Sequence, residues 1–170
     1  MPEKWDAYDR FRRKLGYEIV RGEPIPEGVR HLVVHMIYYN SKGEILLQRR
    51  SDYKDLAPGV WAFTGGSALA GEDSRTACIR ETEEEMGFSP DMSTAELILS
   101  YTRKDTFTDV YLIKTDISID KLRLQPEEVA AAGWFSRSDF ETLICDTHRF
   151  WQYSYLPIVS KYLTEMGYLR

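Results

Sequence analysis

Residues 80–88 read RETEEEMGF, with Glu81, Glu83, Glu84 and Glu85 crowded into five positions. On a helix each residue turns about 100° from the last, which puts Glu81, Glu84 and Glu85 within one arc of about 100° and turns Glu83 away. Ala77 falls in the same arc one turn earlier, where its small side chain leaves room. Cys78, Ile79, Thr82 and Met86 take the adjoining arc and are expected to pack on a sheet. Like charges at i,i+3 and i,i+4 repel by a few tenths of a kcal/mol when exposed and by more once desolvated. Two readings follow from the geometry: a solvated acidic helix surface, or a site where a hard divalent cation with oxygen ligands, magnesium above all, removes the repulsion.

A wider spacing separates the two. From Gly66 the chain follows G-x5-E-x7-R-E-U-x-E-E-x-G-U, where U is bulky and apolar, through Glu72, Arg80, Glu81, Thr82, Glu84, Glu85, Gly87 and Phe88. Seven fixed positions would match by chance in about one chain in a million. This resembles the Nudix box, the signature of the Nudix hydrolase superfamily, over residues 66–88. The departure is Thr82, where the pattern has Ile, Leu or Val. The segment WDAYD…RGEPIPEGVRHLVVH is also similar to Nudix proteins related to isopentenyl diphosphate isomerase.

The resemblance implies an α/β/α sandwich and a hydrolase that cleaves a nucleoside diphosphate linked to another group X by water attack at phosphorus. It implies Mg2+, or Mn2+, held by Glu81, Glu84, Glu85 and the backbone carbonyl of Gly66. Glu81 and Glu84 within the box, and Glu128 outside it, stand as candidates for the general base. Arg80 resembles the arginine that orients the carboxylates, with Glu72 as its expected partner. Gly65 and Gly66 would let the backbone approach metal and phosphates. Arg49 and Arg50 are candidates for phosphate contacts, and Trp61 and Phe63 for substrate contacts, with Phe107, Trp134 and Trp151 further aromatic candidates. Substrate choice is expected to lie outside the box, in residues 1–30, 51–60, 101–108 and 145–155.

The elements that must position these groups can be read from pattern. WDAY and YEIV frame a hairpin-like N-terminal β extension, and GEPIPEG closes it as a linker, giving residues 1–28 before a main domain over 29–170. HLVVHMIYY (31–39) and EILLQRR (44–50) read as a hairpin around NSKG, and VWAFTGG as one short strand. Ser74 to Met86 reads as a helix capped by Asp73 or Ser74 and stopped by Gly87. AELILSYTRK and FTDVYLIKT read as two strands, EEVAAAGWFS as another, and SRSDFETLI as a helix. Phe150 to Met166 reads as helical, with a kink or break at Pro157. Strands mixed with helices, without strict alternation, predict a mixed sheet flanked by helices.

Composition narrows the function classes. A net charge of -5 opposes general affinity for nucleic acid or anionic membranes. MPEKWDAYDRFRRK is charged where a signal peptide needs an apolar run, and no apolar stretch approaches membrane-spanning length, so a cytoplasmic protein is expected. Cys78 and Cys145 read as reduced, semi-buried thiols. His31 and His35 share a strand face and are expected to pack rather than bind metal. A homodimer through the N-terminal extension is one option. Two other functions fit the resemblance less closely. An isopentenyl-diphosphate-isomerase-like enzyme would need a catalytic cysteine, which SDYKDLAPGVWAFTGG lacks; a non-catalytic nucleotide-binding module would typically have lost box glutamates.

Overall fold

The computed structural model describes residues 2–169. Lys4–Tyr8 (β1) and Lys14–Val20 (β2) pair as an antiparallel hairpin. The main sheet is built from His31–Tyr39 (β3), Ile45–Arg50 (β4), Trp61–Ala62 (β5), Thr64–Ser67 (β6), Glu96–Thr102 (β7), Thr106–Lys114 (β8) and Val129–Phe135 (β9). Three α-helices flank it: Ser74–Met86 (α1), Arg137–Ile144 (α2) and Leu156–Glu165 (α3).

The central strand β3 runs parallel to β8 and antiparallel to its other neighbours, so the sheet is mixed. Its alternation assigns the two layers. Leu32, Val34, Met36 and Tyr38 point to one face and pack with Ala77, Cys78 and Met86 of α1. Ile37, with Ile45, Leu47 and Leu112, points to the other and meets Phe140 and Leu143 of α2 and Val159 and Leu163 of α3. Period-two alternation on a sheet buried on both faces therefore yields an α/β/α sandwich. Among the described residues no helix is long and apolar enough to cross a membrane.

One edge of β3 is shared by two strands. Residues Val33 to Met36 pair with β6, whereas Tyr38 and Tyr39 pair with β4. The sheet thus divides at this edge, and the short strand expected over VWAFTGG divides with it, β5 joining β4 and β6 joining β3. Phe63 is the break: its N–H donates to the Tyr153 hydroxyl (3.1 Å) rather than to a strand ladder, and its ring is buried.

The C-terminal helix is shorter than the sequence pattern predicts. It begins at Leu156, with Pro157 in its first turn, where the missing N–H and fixed φ cost nothing. Pro157 therefore opens the helix rather than kinking it. The chain before it instead crosses the sheet edge, where the Trp61 N–H donates to Arg149 O (2.8 Å) and the Trp151 N–H donates to Trp61 O (2.9 Å). Cys78 is fully buried and Cys145 exposed, both free, so the half-burial expected of the pair is found in neither.

The β1–β2 hairpin is fastened to the sandwich at several points. Tyr8 and Arg30 exchange backbone hydrogen bonds (2.8 and 2.9 Å), the Ala70 N–H donates to Lys4 O (2.8 Å), and the Gly71 N–H donates to Asp6 (2.9 Å). At its tip Arg12 donates to Ser100 Oγ and to Asp109 Oδ1, each at 2.8 Å, and its second terminal nitrogen pairs with the other Asp109 oxygen. Asp109 is almost fully buried in β8. Removing one partner of such a pair leaves an uncompensated charge, a loss of about 3 kcal/mol or more. Arg12→Ala should therefore destabilise the chain by about that amount in urea unfolding, and Arg12→Ala combined with Asp109→Asn should recover most of it. Equal stability of the single and double variants would show that the pair does not anchor the hairpin.

Candidate active site

Helix α1 is set by its ends. Asp73, not Ser74, is the cap, its carboxylate accepting from the Thr76 N–H (2.8 Å), and Gly87 closes the helix at φ 74. The buried stripe is Ala77, Cys78, Thr82, Glu85 and Met86, while Ile79 is only half-buried. Thr82, where the box pattern has an aliphatic residue, donates to Cys78 O (2.7 Å) and contacts the Tyr38 hydroxyl (2.6 Å). A buried hydroxyl here is fully satisfied, with Tyr38 supplying the second partner.

Glu81, Glu84 and Glu85 open into one cavity of about 330 Å3, which Arg80 and Glu128 also line. Glu83 lies outside it and is exposed. The three carboxylates differ sharply in environment. Glu85 is buried, and desolvation pushes its carboxyl up to about 8, against the hydrogen bond it accepts from Gln48 Nε2 (2.9 Å). Desolvation raises Glu81 to about 7, with Arg80 pulling the other way and the charges of Glu84 and Glu3 adding to the rise. The Glu84 side chain is 54% exposed, with Arg80 as its partner.

Arg80 is the hub of this cluster. Its Nε and Nη2 grip Glu72 in a two-pronged pair (2.8 and 3.0 Å), Nη1 reaches Glu81 (2.9 Å) and Glu84 (3.0 Å), and Nη2 also donates to Ser67 O (2.9 Å). Glu72 in turn accepts from the Leu69 N–H (2.8 Å), so the box loop and helix are joined through one guanidinium.

The glycines of β6 form the opposite wall. A side chain at Gly66 would place its Cβ 2.3–2.5 Å from the Glu81 carboxylate. One at Gly65 would fall 2.3 Å from Val34 O and 2.6 Å from His35 Cδ2. The donor chemistry suits a hard divalent cation: desolvated carboxylates beside a backbone left bare. Among the described residues no three acidic, histidine or cysteine side chains already converge at ligating distance, because Arg80 holds Glu81 and Glu84.

A second cavity, of about 360 Å3, shares Arg50, Gly65, Gly66 and Ser67 with the first and extends from them to Tyr101, Trp151 and Tyr153. Arg50 borders both; it lies 4.9 Å from the Trp151 ring centroid and donates to Leu56 O (3.0 and 3.2 Å). Phe63 lines the second cavity, stacked on Tyr153 with centroids 5.2 Å apart. Arg49 and Trp61 line neither. Arg49 donates to Gly59 O and to Asp52, both at 3.0 Å, and Trp61 packs edge-on to Phe135. Glu128 is paired with Lys54 inside the first cavity. A larger groove of about 780 Å3 beside α2 and α3 contains no box residue.

All four segments outside the box contribute: Glu3, Trp5 and Arg21 from the hairpin, Lys54 and Leu56, then Tyr101 and Arg103, and finally Trp151 to Tyr155. Of these side chains only Trp151 stands among the aromatic candidates, and Gln48 is missed, although a polar residue inside the apolar run ILLQRR signals a buried partner. His31 packs against Trp5, with rings stacked at 4.0 Å, and His35 contacts Tyr155.

The NUDIX domain family model matches residues 29–157. The chain is 37% identical over 142 residues to an uncharacterized Nudix hydrolase of Listeria monocytogenes, covering 83% of this chain and 84% of that one. It is 29% identical over 133 residues to an isopentenyl-diphosphate delta-isomerase of Streptomyces coelicolor, covering 74% and 68%. In fold it is similar to a Deinococcus radiodurans protein, with a TM-score of 0.74 at 20% identity over 96% of this chain and 98% of that one. It is also similar to the NUDIX domain of Shewanella oneidensis NrtR, crystallised with ADP ribose, with a TM-score of 0.61 at 15% identity over 81% and 88%. With the box glutamates gathered on one cavity and the family match spanning most of the sandwich, the chain belongs to the Nudix hydrolase family.

Proposed function

We propose that this chain is a magnesium-dependent hydrolase of a nucleoside diphosphate linked to another group, cleaving the diphosphate by attack of water at phosphorus. The observation that carries the reading is the single cavity into which Glu81, Glu84, Glu85 and Glu128 all open, walled by the bare backbone of Gly65 and Gly66. Glu81, Glu84, Glu85 and the Gly66 carbonyl would hold the cation, with Mn2+ an alternative to Mg2+. The cation supplies charge neutralisation at the diphosphate and acidifies bound water.

The chain's own residues do the rest. Arg80 holds the metal-free carboxylates and, anchored by Glu72, stays in place when Glu84 swings away. Arg50, which borders both cavities, would meet phosphate oxygens between the carboxylates and the aromatic cavity. A carboxylate not spent on the cation takes the proton of the attacking water; Glu81, Glu84 and Glu128 line the cavity where that proton is released. The ADP ribose bound by the Shewanella domain makes ADP-ribose a natural first compound to try. An isomerase reading lacks its sulfur: neither Cys78 nor Cys145 lines the cavities.

Release of phosphate-containing products from a panel of ADP-ribose, nucleotide sugars, NADH, coenzyme A, dinucleoside polyphosphates and oxidised nucleoside triphosphates tests the reading directly. Turnover of none of these with magnesium or manganese would sink it. Glu84→Gln should lower kcat by about 10³-fold, and because Glu84 is exposed its melting temperature should stay at the wild-type value. Unchanged turnover would remove Glu84 from the machinery.

A second consequence concerns pH. Folding raises Glu81 and Glu85 above their ordinary 4.5, to about 7 and about 8. Protonated, they favour the folded chain; that contribution fades as pH climbs through the folded values. The lowered histidines stay neutral above pH 7, and the buried Cys78 thiol, also raised by desolvation, begins to matter only near pH 9. The metal-free protein should therefore melt at lower temperature at pH 9 than at pH 7, and saturating magnesium should remove most of the difference. Glu85→Gln should flatten the metal-free profile. A profile indifferent to both would contradict cation binding by these carboxylates.

A further inference from the structure

The second cavity holds a polar group that the box chemistry does not use. His35 lies on β3 with its ring against Gly65, at the junction of the two cavities, and it lines the aromatic one. Its Nδ1 is 2.6 Å from the hydroxyl of Tyr155, a residue only 3% exposed. No other hydrogen bond of that hydroxyl is found among the described residues, so a satisfied Tyr155 O–H must donate to Nδ1. The proton of a neutral ring then sits on Nε2. Burial, with the nearby charge of Arg103, lowers His35 to about 4, which keeps the ring neutral. Among the described residues Nε2 has no hydrogen-bond partner, and it is not one of the buried unpartnered atoms there, which are Trp5 Nε1, His31 Nδ1 and Thr106 Oγ1; Nε2 therefore faces the cavity that His35 lines.

The surroundings say what such a donor would meet. Arg50 and Arg103, both on the cavity lining, have no carboxylate partner among the described residues. Tyr101, Trp151 and Tyr153 supply flat apolar wall, and Tyr153 stacks on Phe63 and Tyr155 at 22° and 24°. The cavity therefore offers hydrogen-bond donors beside aromatic faces, and about 360 Å3 accepts a group of nucleoside size. The same glycine strand borders the carboxylate cavity, so one molecule can span both with its diphosphate at the box.

We propose that His35 is a specificity-determining residue, held by Tyr155 as the Nε2–H tautomer so that it donates a hydrogen bond to a ring-edge acceptor of a planar heterocycle in the aromatic cavity. Tyr155 is then a positioning residue, acting through the imidazole rather than on the substrate. This inference rests on the diphosphate hydrolase reading for the remainder of the substrate, but not for the state of the ring.

The test uses full-length protein with 15N-labelled histidine. Long-range 1H–15N spectra of the free protein should show His35 protonated at Nε2, and Tyr155→Phe should release Nδ1 and shift the ring toward a tautomer mixture. Titration with ADP-ribose, GDP-mannose, UDP-glucose and CDP-choline, without added metal, should move the His35 Nε2 resonance for at least one compound. With magnesium, wild type should prefer one base in kcat/KM. His35→Leu should raise KM for that compound about tenfold, leave kcat within about twofold, and flatten the preference among bases. His35→Gln, which keeps an N–H donor near the Nε2 position, should restore part of the preference and guards against a folding defect in the leucine variant. An Nδ1–H ring in wild type, an unmoved resonance with all four compounds, or a base preference untouched by His35→Leu would each overturn the proposal. Absence of turnover with a resonance that still moves would instead fault the hydrolase reading and leave His35 as a ligand contact.

Discussion

Two carboxylates are packed where water cannot solvate them well, and the rest of the site is arranged around that constraint. Glu81 and Glu85 sit one turn apart on α1, the first half-buried and the second buried, and each raises the carboxyl of the other or is raised by another glutamate nearby. Such groups persist only with partners. Gln48 serves Glu85 from inside the sheet, and Arg80 serves Glu81 from the box loop. Arg80 could not do so as a free surface side chain. Glu72 and Ser67 O fix its guanidinium, so the loop geometry of the box is the condition for giving Glu81 a charged partner. The arrangement also explains why the described carboxylates do not converge as they stand. Under the proposed metal reading a divalent cation would compete with the guanidinium for these oxygens, and the exposed Glu84 would exchange partners at least cost.

The glycine strand is the counterpart of this helix. Gly65 and Gly66 point to opposite sides of β6, one against His35 and one against Glu81, and neither position has room for a Cβ. β6 exists because the chain breaks at Phe63, where Tyr153 takes the backbone N–H that would otherwise continue the strand. The division of the sheet edge between β4 and β6 therefore depends on an aromatic residue about ninety positions away. It also gives the two cavities a common border, with Arg50 reaching across it.

What the sequence made legible follows from the range of the forces involved. The helix over Ser74–Met86, its glycine stop and the shared arc of Glu81, Glu84 and Glu85 are local geometry, fixed by 3.6-residue periodicity and the left-handed Gly87. The strands His31–Tyr39 and Ile45–Arg50 are likewise set by β-branched composition and a tight turn. The errors fall where tertiary contact outweighs local pattern. Residues 150–153 carry helical spacing but are not helical, with the Trp151 N–H donating to Trp61 O and the Tyr153 ring stacked on Phe63, and a turn at 154–155 leads into α3. Arg49 and Arg50 are indistinguishable in sequence, yet strand alternation sends one to Gly59 and Asp52 and the other to the cleft. The hairpin's place at the cavity rim depends on Arg12 finding Asp109 across 97 residues, which no periodicity encodes.

This division between local and distant determinants bears on how one fold can serve many substrates. The box supplies a charged cluster whose internal partners, Glu72, Arg80 and the backbone of β6, all lie within about twenty residues of each other. Its guanidinium contacts are therefore short in sequence, although Glu85 still takes Gln48 from the sheet and β6 still needs Tyr153. Thr82 shows how narrow the coupling to the sandwich is: a hydroxyl on the buried side of the helix is accommodated by Tyr38 and Cys78 O without disturbing the acidic face. The aromatic cavity has the opposite construction. Its walls come from β3, the β7–β8 turn and residues 151–155, and they meet only when the whole sheet is formed. The two cavities share only Arg50, Gly65, Gly66 and Ser67 among the described residues, so the aromatic walls can vary with little contact to the carboxylates. The two cavities are thus built by different means, one from a short stretch of chain and the other from segments far apart in sequence.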